Sequence, residues 1–98
     1  MIKKIKELTK EEKQLFYQSV KTAHEESSAV PWQEMEMKMQ AFMDAAFDDK
    51  TFPQMSSDDQ IDAAYCRKAF SSKPDLVDYM LWSAAFVTHS DYVEIPEK

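Results

Sequence analysis

Leu76-Val77-Asp78-Tyr79-Met80-Leu81-Trp82-Ser83-Ala84-Ala85-Phe86-Val87 is the stretch whose reading decides the fold. Wound as a helix, it places apolar side chains on almost every face, and a helix of that kind has to be covered on most sides. It also carries Asp78 and falls well short of the roughly 20 apolar residues a membrane span requires. Pro74 suits the first turn, where a missing N–H is no loss. The expectation is therefore a central helix packed among other elements, with the seam of a homodimer as the alternative use of the same surface.

The covering elements are expected to be helices too. The chain of 98 residues contains no glycine and no asparagine, the residues that enter left-handed backbone conformations with least strain. Tight β-hairpins depend on such positions, so a sheet protein is disfavoured. Working back from Pro74, Ser71-Ser72-Lys73 closes a third helix from about Asp58 to Phe70, expected to turn Ile61, Ala64 and Tyr65 inward. Ser57 with Gln60 offers it a capping box. Before it, Asp48 to Ser56 breaks the helical pattern. A second helix opens on Pro31 as its first residue, with Trp32, Met35, Met39, Phe42, Met43 and Ala46 as its apolar stripe and Met37 out of phase. The first begins at Thr9-Lys10-Glu11-Glu12, a second capping box, and sets Leu15, Phe16, Val20 and Ala23 on one face before ending in Glu25-Glu26-Ser27-Ser28. Residues 1–8 form an N-terminal arm, and residues 89–98 an extended tail through Tyr92, Val93 and Ile95 to Pro96. The fold class expected is all-α: a compact single-domain bundle of four to five helices over residues 1–98 with an extended C-terminal tail.

Charge narrows the partners. The net charge is −6, and the segment from Thr22 to Asp62 holds ten carboxylates against Lys38 and Lys50 alone. Only Arg67 among twelve basic residues is an arginine. Arginine supplies the planar fork that grips phosphates and base edges, so an acidic chain nearly without it is not expected to bind nucleic acid directly. A lone cysteine, Cys66, allows no internal disulfide and points to a reducing, cytoplasmic setting. The first residues meet Glu7 and Lys10 before any apolar run and do not read as a signal peptide.

No enzyme chemistry is legible. His24-Glu25-Glu26 would open a zinc-protease helix only with a second histidine at position 28, which is Ser28. With His24, His89 and one thiol, neither a zinc site nor any cofactor site has a spacing to recommend it. Thr88-His89-Ser90-Asp91 holds the residue types of a hydrolytic triad, but triads are assembled from distant segments. The acidic pairs Asp48-Asp49 and Asp58-Asp59, with Asp62, lack the alternating spacing and the glycine of a calcium loop. Phosphate-cradling glycine loops are absent altogether. The expectation is a protein that is not an enzyme, with no cofactor and no metal.

What remains is a binding surface. Phe52 and Met55 stand between the two acidic pairs, apolar anchors ringed by charge, as in a protein interface. Asp48, Asp49, Phe52, Met55, Asp58, Asp59 and Asp62 are thus the candidate partner-binding residues. The function expected is a small acidic inhibitor of a basic protein, such as an immunity protein neutralising a toxin nuclease or a phage-type antagonist of a nucleic-acid enzyme, working by blocking a cationic cleft. A monomer is favoured over a homodimer, and no membrane association is expected. The alternative is a non-catalytic helical adaptor or regulatory homodimer.

Overall fold

The computed structural model describes residues 1–96. In chain order it contains β1 (Ile2–Lys4), a 3₁₀ turn (Ile5–Glu7), α1 (Lys10–Ser27), α2 (Trp32–Ala46), a second 3₁₀ turn (Phe52–Gln54), α3 (Ser57–Ala69), α4 (Leu76–Thr88) and β2 (Tyr92–Glu94). The protein is all-α, with four α-helices and two three-residue strands among the described residues. The chain divides into two compact units, one made of Met1–Trp32 with the chain from Val77 onward, the other of Gln33–Leu76.

In the first unit, α1 starts as its sequence requires. Thr9 Oγ1 accepts the Glu12 N–H at 3.1 Å and Glu12 Oε1 accepts the Thr9 N–H at 3.0 Å, a complete capping box. Lys3 Nζ donates to both oxygens of the same carboxylate at 2.8 and 2.9 Å, tying β1 to the start of α1. Phe16 is buried, while Ala23, expected on the same face, is exposed. Further along, Trp32 fixes the way the chain leaves α1. Its indole N–H donates to the Tyr17 hydroxyl at 3.2 Å, and the rings of Tyr17 and His24 meet it edge-on at 5.8 and 5.4 Å. His24 Nε2 lies 2.7 Å from the Val30 carbonyl; a carbonyl only accepts, so this nitrogen carries the proton.

Two expectations for this unit need correction. The segment after Thr88 is extended but is no free tail, because β2 pairs antiparallel with β1 in the register Ile2 with Glu94, Lys3 with Val93 and Lys4 with Tyr92. Bonds from the Ile5 N–H to the Asp91 carbonyl (2.9 Å) and from the Ile95 N–H to the Met1 carbonyl (2.7 Å) continue the ladder at both ends. The cause is the alternation of Tyr92, Val93, Glu94 and Ile95: Val93 and Ile95 are buried, Tyr92 and Glu94 exposed. The arm and the tail are one element, although each alone offers too little pattern to read as a strand. Residues 97 and 98 of the expected tail lie outside the described residues. The second correction concerns α4, where Met80 and Leu81 are buried, Val87 is exposed and the remaining apolar side chains are half-buried. Tyr79, Trp82 and Phe86 form a ladder along it, with centroids 5.8 and 5.2 Å apart.

In the second unit, Met43 and Ala46 of α2 are fully buried and Met35, Met39 and Phe42 half-buried, whereas Met37 is 67% exposed, as its phase predicts. Asp44 holds Lys73 at 2.6 Å, linking α2 to the segment after α3. The hydrogen bond from Lys73, aided by one from Gln40, keeps the Asp44 carboxyl below the usual carboxylate range.

Candidate binding face on helix α3

The loop ahead of α3 is built by its own polar groups. Asp48 accepts the Lys50 N–H at 3.1 Å and the Thr51 hydroxyl at 2.6 Å, two bonds that hold its carboxyl below the ordinary value. The chain then turns through Phe52–Gln54 and enters α3 at Ser56, whose Oγ accepts the Asp59 N–H at 3.2 Å. The expected capping pair Ser57 and Gln60 is thereby corrected by one residue. Gln60 serves elsewhere: its side-chain amide donates to the Pro53 and Met55 carbonyls at 3.0 and 3.1 Å, binding the loop back onto the helix. Arg67 completes the clasp, its guanidinium 5.2 Å above the Phe52 ring and 3.1 Å from Asp49.

This clasp lies on the side of α3 that carries Gln60 and Arg67. Ala63 and Cys66 are at 0% exposure, whereas Ile61 is 56% and Tyr65 52% exposed. The expectation that Ile61, Ala64 and Tyr65 point inward is wrong; Ala64 is exposed as well. Periodicity could not have decided the matter, because Ile61, Ala63, Ala64, Tyr65, Cys66 and Phe70 surround the helix with apolar groups. The small side chains Ala63 and Cys66 are inside, and the larger Ile61 and Tyr65 are outside. Cys66 is a fully buried side chain, and burial pushes its thiol up from its ordinary value.

The candidate residues therefore fall into two groups. Phe52 and Met55 are half-buried in the loop, Asp48 is engaged in its turn, and Asp49 pairs with Arg67. Asp58, Asp59 and Asp62 are exposed on the first turns of α3 and form no salt bridge among the described residues. Asp58, Ile61, Asp62 and Tyr65 recur at three- and four-residue intervals, which puts them on one face. Ile61 and Tyr65 are thus members of the face that sequence reasoning missed; the available signal was that each follows an aspartate, Asp58 and Asp62, by three residues.

In the Thr88-His89-Ser90-Asp91 cluster, both hydroxyls are engaged with backbone. The Thr88 hydroxyl donates to the Ala84 carbonyl at 2.7 Å, Ser90 Oγ accepts the Tyr92 N–H at 3.2 Å, and Asp91 holds Ile5 through its carbonyl. Among the described residues no group of three or more potential ligands could hold a metal ion, and no helix is long and apolar enough to cross a membrane. No protein-family model, curated protein or solved structure matches the chain.

Proposed function

We propose that the protein is a small acidic binding protein that inhibits a basic partner, an immunity protein or phage-type antagonist in kind, and that it docks through the outer face of α3. The observation that carries this reading is the exposed set Asp58, Ile61, Asp62 and Tyr65, flanked by Asp59. The unit that presents it holds nine carboxylates against five basic side chains. The two residue types divide the work. Carboxylates attract a cationic cleft from a distance and raise the association rate, an effect that salt screens. Ile61 and Tyr65 exclude water from the contact and slow dissociation; completing the burial of each contributes about 1 kcal/mol. A nuclease cleft, positive because it holds phosphates, is the kind of target this arrangement fits, and occupying it suffices for inhibition without chemistry.

The test is capture from native lysate at low salt with three baits: the wild type, Asp58→Asn/Asp59→Asn/Asp62→Asn, and Ile61→Ala/Tyr65→Ala, each with its helicity checked. A basic protein retained by the first and lost or weakened with both variants is the expected result. With that partner in hand, the triple Asn variant should associate about tenfold more slowly at low ionic strength, and the difference should shrink as salt is added. A partner held equally by all three baits removes α3 from the interface.

A further inference from the structure

We propose that β2 exchanges between two copies of this chain, pairing with the β1 of a second copy in a two-fold dimer whose hinge is His89. Three observations in the first unit carry the inference. His89 has φ of 55°, the only positive φ among the described non-glycine residues, in a chain that offers no glycine for the position. It sits directly after α4, and the Ser90 N–H reaches back to the Ala85 carbonyl at 3.2 Å, the six-to-one bond of a Schellman turn, in which glycine normally takes the left-handed place. Beyond the hinge, the strand is anchored by side chains out of proportion to its length, since Val93 and Ile95 are both buried.

Should His89 relax into the right-handed helical region, α4 continues straight and the strand is carried away from its own β1. Val93 and Ile95 then need a buried site, and β1 presents the unpaired donors and acceptors of Ile2–Lys4. A second copy offers both in the matching register. Every contact of the closed form is remade across the pair, while the strain at each hinge is relieved, which is the condition under which exchange competes with closure. The exchange is reciprocal and closes on itself, so it stops at two chains. Closure within one chain has the advantage of high effective concentration, and the dimer is accordingly the minor form in dilute solution.

The experiment is refolding of the full chain at increasing concentration, up to millimolar, followed by size-exclusion separation with light scattering. A dimer is expected whose share rises with concentration. His89→Gly removes the strain from the closed form at both hinges, about tenfold each, and so should weaken the dimer about a hundredfold; His89→Ala, which favours the helix, should strengthen it roughly fivefold. The arrangement is read with Lys4→Cys/Tyr92→Cys in a Cys66→Ala background. Lys4 and Tyr92 are directly opposed across the strands, between the hydrogen-bonded pairs, where Cα atoms come close enough for a disulfide. Oxidation should link two chains in the dimer fraction and close a loop within one chain in the monomer fraction. Absence of dimer in both the wild type and His89→Ala, a dimer indifferent to His89→Gly, or links only within chains in the dimer fraction would each overturn the proposal.

Discussion

Helices α1 and α3 both open on a hydroxyl cap followed by carboxylates, and they put those carboxylates to different uses. At α1, Glu12 closes the capping box and takes both bonds from Lys3, so its charge is absorbed by the fold. At α3, Ser56 caps through Asp59's backbone N–H alone, and the side chains of Asp58, Asp59 and Asp62 remain exposed beside Ile61 and Tyr65. Both sets suit the positive end of a helix. The difference is the neighbour: α1 meets a basic strand, whereas Arg67, the cation that α3 itself brings to the preceding loop, is already stacked on Phe52 and paired with Asp49. A helix start can therefore be equally acidic and be either a joint or a display, depending on what the chain brings opposite it.

The strongest attempt to break this comparison is a reversal of α3. If its small-residue face is the inner one, Ala63→Leu overpacks a fully buried site and costs about 1 to 3 kcal/mol, while Ile61→Ala changes stability by less than about 0.5 kcal/mol. Chemical denaturation of the two variants decides it; the opposite ranking would turn the aspartates away from solvent and end the display. Of intermediate size is the joint itself. Thr9→Ala removes the cap hydroxyl and should lower stability by about 1 kcal/mol, with amide exchange rising in the first turn of α1. An unchanged denaturation midpoint would show that the cap hydroxyl adds nothing to the joint, which Lys3 and the Thr9 N–H would then hold through the Glu12 carboxylate.

The smallest effect is electrostatic and sharpens the comparison instead of breaking it. The bonds from Lys3, then from Thr9, hold the Glu12 carboxyl below its ordinary value of 4.5. A carboxyl whose value is depressed by folding adds stability that is complete above the unfolded value and lost as pH falls through the folded one. Glu12→Gln should therefore flatten the fall in thermal stability below about pH 4.5 and leave the slope above it unchanged. Equal slopes for wild type and Glu12→Gln would mean that the joint is not electrostatic.

Much of this was legible beforehand. The Thr9 capping box, the α2 stripe with Met37 outside it, and an all-α chain built without glycine follow from local rules that act within one or two turns. Three features were not. Which side of α3 faces inward is a matter of tertiary packing, which buries Ala63 and Cys66 and leaves Ile61 and Tyr65 exposed. The strand nature of residues 92–94 depends on a partner some ninety positions away in sequence. The half-buried state of most α4 side chains depends on packing between segments that the helix's own apolar run does not specify.

Helix content, helix starts and net acidity were thus set by composition and short-range spacing, since propensity, capping and charge belong to residues and their near neighbours. Tertiary structure decided which apolar groups were spent inside and which carboxylates were absorbed or shown. Those outcomes are settled by contacts between segments distant in the chain, where burial of one side chain competes with burial of another and no local pattern ranks them.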